Sequence, residues 1–202
     1  MRAGLLAFFL LIAPPVAAQD MGALVMAARA QVGVTVLYDG AYVALDYPGG
    51  DLPADRGVCT DVIIRAFRAA WSLDLQRVVH QDMQRAFAEY PALWELTAPD
   101  PNIDHRRVPN LQTLMRRAGA ALEISVNPSD YLPGDLVSWR LPGNLPHIGI
   151  VSDRMNADGN RPLILHNIGG GAQEDDLLTS FPITGHYRIT ADVLDWMRAL
   201  DR

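Results

Sequence analysis

The change of texture at Pro133-Gly134 constrains the fold of this chain more than any other feature. Before it, apolar residues recur at helical spacing. After it, short aliphatic runs bounded by Gly, Pro or Asn take over. Asp20 to Gln31 carries Leu24, Ala27, Ala28 and Gln31 on one face and ends at Gly33, which reads as a helix. A second helix is expected from Cys59 to about Trp71, with Val62, Ile63, Ala66, Phe67 and Ala70 as its buried stripe. Asp61 and Arg65 stand four apart on it and are expected to form a local ion pair. Asp82 to Tyr90, stopped by Pro91, and Leu111 to Ala118 read as further helices. Val34 to Tyr38 is either a short strand or an extended loop, and the Gly-, Pro- and Asp-dense stretch from Asp39 to Gly57 is loop. Beyond Pro133, strands are predicted over Asp135–Trp139, His147–Ser152, Pro162–His166 and His186–Ile189, before a Thr190-capped helix through Leu200. Helices followed by an antiparallel meander give an α+β class.

The N-terminus bounds the compartment. Met1-Arg2 is a short positive segment, Leu5 to Ile12 is apolar, and Val16-Ala17-Ala18 before Gln19 supplies small residues for cleavage. A signal peptide over 1–18 and one domain over 19–202 are therefore expected. The apolar run is shorter than the about 20 residues of a helical anchor. No cysteine follows it for lipid attachment, so no stable membrane insertion is expected after cleavage. The style of the signal points to the periplasm. A hydrophobic share of 50% allows a full core without disulfides, and a net charge of -6 argues against nucleic acid as a partner.

In that compartment the single cysteine, Cys59, has no partner for an intrachain disulfide. It is a buried small hydrophobe, half of an intermolecular bridge, or a thiol kept for reactivity. Its place after Gly57-Val58, in the first turn of a helix, favours the reactive reading, because the positive end of the helix dipole stabilises thiolate. A partly exposed thiol with a depressed pKa is the expectation.

A nucleophilic cysteine needs a base, and the base needs an orienting group. Among five histidines, His147 opens one predicted strand and His166 closes the next. A hairpin centred near Asn156-Ala157, with Ser152 opposite Arg161, also sets His147 opposite His166. Paired residues share a face with Cβ atoms about 4.5–5.5 Å apart. His80, His105 and His186 show no comparable spacing. No histidine pair has the helix spacing of a zinc motif, and the Gly169-Gly170-Gly171 run lacks the Lys-Ser/Thr of a phosphate loop. Neither metal nor cofactor is expected.

The stretches Tyr47-Pro48-Gly49-Gly50-Asp51, Gly57-Val58-Cys59-Thr60-Asp61, Asn102 to Leu111, Pro133 to Val137, His147-Ile148-Gly149-Ile150-Val151, His166-Asn167-Ile168-Gly169 and Gly185-His186-Tyr187-Arg188 together resemble the DUF1287 family of exported bacterial proteins. That family in turn resembles the NlpC/P60 cell-wall cysteine peptidases. The resemblance implies a papain-like fold, with helices packed on a central antiparallel sheet. It implies Cys59 as nucleophile, His147 as base and His166 as orienting group, with support from Asn167 and from Tyr47, the nearest match to a tyrosine ahead of the cysteine. The chain departs from the usual Asp-Cys-Ser/Gly of that group, having Val58-Cys59-Thr60. The implied activity is cleavage of an amide in peptidoglycan or a linked peptide. The alternatives are a non-catalytic cell-wall peptide-binding module and a thioester-forming acyltransferase.

Asp61 and the polar run Asp104-His105-Arg106-Arg107 are the candidate substrate-binding residues, an arginine being able to grip a carboxylate with two parallel hydrogen bonds. The run is otherwise a solvated loop. Adjacent residues in an extended segment point to opposite sides, so one arginine at most faces the cleft while the other pairs locally with Asp104. Trp139 and Tyr187 either line the same cleft or belong to the core.

Overall fold

A computed structural model describes residues 21–202; the predicted signal peptide lies outside them. The chain is a mixed α/β structure in which helices pack on one face of an antiparallel sheet. Helix α1 is Met21–Arg29, α2 Cys59–Trp71, α3 Leu75–Ala86, α4 Val108–Arg117 and α5 Ala191–Leu200. Thr190 caps α5 as expected, its side chain accepting the Val193 N–H. Helix α3 starts earlier than the Asp82–Tyr90 prediction because Asp74 accepts the Gln76 N–H at its N-terminus. The later part of the predicted span is a 3₁₀ turn, Phe87–Glu89.

Two short strands, β1 (Leu37–Tyr38) and β2 (Arg56–Gly57), pair in parallel and set Tyr38 level with Gly57. The main sheet holds β3 (Ala121–Leu122), β4 (Leu136–Leu141), β5 (Leu145–Met155), β6 (Pro162–Asn167), β7 (Ala172–Asp175) and β8 (Ile183–Tyr187). Their order is β3-β8-β4-β5-β6-β7. It corrects the simple meander: β4 to β7 follow one another, but β8 returns to the far side of β4.

Period-2 alternation divides the sheet into two buried faces. Leu136, Ile148, Ile150 and Leu165 point toward the helices and meet Leu24, Ile63, Phe67, Leu114 and Met197. Val137, Trp139, Val151 and Ile164 point the other way, under Tyr131, Leu177 and Leu178. Trp139 is fully buried there, its indole N–H donating to the Leu178 carbonyl at 3.0 Å. Tyr187 is buried on the helix side, so both aromatics belong to the core.

The β5–β6 hairpin departs from the predicted alignment. Ile150 pairs with Leu165 and Val151 with Ile164, and an irregularity follows before Met155 meets Pro162. The turn closes farther along, where Asn156 Oδ1 accepts the Asn160 and Arg161 N–H groups and Gly159 takes a positive φ of 67°. Ser152 therefore does not face Arg161, and Gly149 rather than His147 stands level with His166. The displacement is two residues. A shift of two keeps every side chain on its face, so both histidines still share one.

Candidate functional site

Helix α2 brings Cys59 to the sheet. The Gly57 carbonyl accepts from Asn167 Nδ2 at 3.0 Å, which ties the turn before the cysteine to the end of β6. Asp61, in the first turn, accepts the Val58 N–H at 2.6 Å and is bound by the Arg106 guanidinium at 3.0 and 3.1 Å. Arg65 does not pair with Asp61 as expected. It forks onto Asp51 instead, with contacts of 2.9 Å, because Asp61 turns back to its own helix terminus.

Cys59 is 4% exposed and belongs to the helix-side core. It also forms part of the floor of a pocket of about 340 Å³ that Tyr38, Trp94, Arg106, Arg107 and Pro146 help line. Burial pushes its thiol up to about 12; the neighbouring Asp61 charge adds to the rise, and the N–H groups of Ile148, Thr60 and Cys59 itself oppose it. This reverses the expected exposed, low-pKa thiol. The helix dipole is present, but desolvation outweighs it.

The histidines meet each other. His147 Nε2 lies 3.1 Å from His166 Nδ1, the rings set edge to face at 5.1 Å between centroids. Asp175 Oδ2 sits 3.4 Å from His166 Nε2, an electrostatic contact longer than a normal hydrogen bond. Asp175 favours the proton on that nitrogen, which leaves His166 Nδ1 to accept from His147 Nε2–H. The lone pair of His147 is then at Nδ1. Burial lowers His147 to about 3, with the neighbouring His166 adding to the effect, and burial lowers His166 too. Burial therefore favours the neutral form of each ring.

Cysteine and histidines are close in the strand but not joined. The sulfur faces the amide of Ile148, one residue past His147. The His147 side chain follows its strand partner Trp139 to the other face of the sheet, the rings 5.9 Å apart. Among the described residues no hydrogen bond links Cys59 to either imidazole.

The remaining predicted residues divide clearly. Arg106 lines the pocket but is 6% exposed and committed, with Asp61 on one side and the Asp39 and Ala41 carbonyls on the other. Arg107 also lines it, pairs with Asp104 at 2.9 Å and stacks 4.0 Å above Trp94. Asp61, Asp104 and His105 do not line it. His105 is buried, and burial lowers it to about 4. Asn167 holds the Gly57 turn and the Gly169 N–H and bonds to neither imidazole.

Tyr47 is also displaced from its expected role. It packs against His80 at 5.0 Å and stands outside the pocket, whereas Tyr38 lines it, its hydroxyl raised by burial and then by Cys59 and Asp61. The available signal was that Val34–Tyr38 reads as a strand ending in tyrosine, but its pairing with Arg56–Gly57 is non-local. Trp94, Pro146 and Asp175 carried no local signal.

Two comparisons bear on this arrangement. The model of a family described as "Domain of unknown function (DUF1287)" matches residues 25–189. A protein of Escherichia coli (strain K12) described as "Uncharacterized protein YijF" is 58% identical over 161 residues, 80% of this chain and 78% of that one.

Proposed function

The chain belongs to the DUF1287 family, and we propose that it is an exported cysteine hydrolase of papain-like, NlpC/P60-type fold that cleaves an amide bond in peptidoglycan or a linked peptide. One observation carries this reading: Cys59 lies at the floor of an open pocket, at a helix N-terminus, beside the strand position of a hydrogen-bonded His147–His166 pair. The N-terminal sequence supports export to the periplasm.

With a neutral thiol and a neutral imidazole, the cysteine works by general-base catalysis rather than as a standing ion pair. Sγ and the His147 ring lie on opposite faces of the sheet, so the first step is a rearrangement of the strand end at His147 that brings Nδ1 round to Sγ. Sγ then attacks the carbonyl as Nδ1 takes its proton, and the imidazolium returns that proton to the leaving amine. Water hydrolyses the thioester, with the same ring as base. The Cys59 N–H is available to the oxyanion. An amine in place of water gives acyl transfer by the same intermediate.

The raised thiol and the missing Cys–His hydrogen bond favour a second reading, a non-catalytic module that holds cell-wall peptides. Purified sacculi digested with wild type, Cys59→Ala and His147→Ala separate the two, with released fragments identified by mass. The hydrolase reading expects fragments from wild type and none from either variant. Equal sacculus binding by all three proteins with no fragments from any establishes the binding module.

A further inference from the structure

A second cavity, of about 120 Å³, lies behind Trp94 and is walled by Met83, Phe87, Tyr90, Trp94, Asp104 and Asn110. It shares Trp94 with the pocket over Cys59. Its lining is mainly apolar, with polar side chains supplied by Asn110 and Asp104. Asn110 is fully buried, and its Oδ1 has no hydrogen-bond partner among the described residues. The amide cannot be turned round to cure this, because Nδ2 already donates to the Asp104 carbonyl at 3.1 Å. Asp104, 1% exposed, also lines this small space; its carboxylate accepts the Asp100 N–H at 2.6 Å and an Arg107 N–H at 2.9 Å.

Around the cavity, three carboxylates face two guanidinium groups among the described residues. Asp82, Asp100 and Asp104 stand near the cavity. Arg117 answers Asp82 at 2.6 Å and Arg107 answers Asp104 at 2.9 Å. Asp100 has hydrogen bonds from Tyr42 and Asn102 but no cation among the described residues. The aromatic walls suit a cation as well, and Trp94 already stacks one, Arg107. At about 30 Å³ for each water-sized unit, the space holds about four such groups. An orphaned acceptor, a buried carboxylate and aromatic walls in so small a volume select for charge and size together.

We propose that this cavity binds a primary ammonium group carried on a short apolar stem. The ammonium donates to Asn110 Oδ1 and pairs with Asp104, while the stem lies against Phe87 and Trp94. Its use as a subsite for the substrate of Cys59 rests on the hydrolase reading; the binding itself does not.

The test uses butylammonium chloride, with 1-butanol and sodium butyrate as matched neutral and anionic probes, against the whole protein and its Cys59→Ala variant. Binding is followed by titration calorimetry and by the indole N–H resonance of Trp94. Butylammonium is expected to bind at least tenfold tighter than either control in both proteins and to shift that resonance. Asp104→Asn should remove the tenfold preference while leaving 1-butanol unchanged. Trp94→Ala, at a half-buried position that tolerates truncation, should weaken butylammonium if Asp104→Asn does not fold. Equal binding of the three probes, no binding of butylammonium, or binding indifferent to both variants overturns the proposal. If the cavity binds but sacculi are not cut, the hydrolase reading fails alone. If sacculi are cut but butylammonium does not bind, the cavity proposal fails alone.

Discussion

At Cys59 two effects of opposite sign act on one sulfur. A helix N-terminus is worth about 0.3–1 kcal/mol to a nearby anion, whereas burial lifts this thiol to about 12. Free cysteine has a pKa of about 8.5, so at pH 7 the thiolate fraction is lower by roughly a thousandfold or more. Iodoacetamide should therefore alkylate native protein far more slowly than unfolded protein, with the native rate climbing only in strongly alkaline solution. Rapid native alkylation at pH 7 would contradict the burial. His147 provides the acid-side counterpart. Its folded pKa of about 3 lies below the ordinary about 6.5, so the unfolded chain takes up a proton that the folded one refuses. The neutral ring's contribution is complete above pH 6.5 and is lost as pH falls toward 3, with an upper bound of about 5 kcal/mol. Melting temperature should fall across that window, and His147→Gln should flatten the slope in part, since buried His105 adds a similar one. At this scale residue type was legible and environment was not. Sequence singled out Cys59, His147 and His166 by their positions at element ends, but burial and the partners of each depend on contacts distant in the chain. Tyr38 shows the same limit: only its pairing with β2 brings it to Cys59.

Helix α2 begins where Asp61 returns to the Val58 N–H and Arg106 closes over it, both side chains nearly inaccessible. Removing one partner of a buried pair leaves the other charge unpaired and costs about 3–5 kcal/mol, while replacing both by apolar groups of like volume costs far less. Asp61→Ala should accordingly destabilise the protein by about that amount in urea titration, and Asp61→Leu with Arg106→Met should recover most of it. A double variant no better than Asp61→Ala would mean that the helix-start hydrogen bond, not the charge pair, carries the energy. Elements with strong periodicity were legible here. The α2 stripe, the Thr190 cap and the β4–β6 strands were readable because each is encoded over several consecutive residues. Strands β3 and β7 were not, being short pairings that exist only because longer neighbours supply an edge. The hairpin register escaped for a related reason. A local irregularity after Val151 and a turn built on Asn156 displaced the alignment, while the period of two preserved the faces.

Across the molecule the sheet divides two cores, and the candidate chemistry is split between them. Cys59 packs with Ile63 and Ile148 on the helix side, whereas His147 shares the opposite face with Trp139 and Leu178. Changes on either face should lower stability alike, because one sheet serves both and small domains melt as a unit. Only changes on the far face should disturb the imidazoles. Met197, fully buried under the helices, and Leu178, fully buried against Trp139, form the matched pair. Truncating either to Ala should cost about 2–5 kcal/mol. Urea unfolding should show a single transition with a lowered midpoint and an unchanged slope in both. The ring-proton resonances of His147 and His166 should shift in Leu178→Ala and stay in place in Met197→Ala. Two separate transitions would mean that the cores fold independently. Equal histidine shifts in both variants would mean that the sheet transmits strain from one face to the other, and the Cys59 core would then be able to bias the imidazoles without touching them.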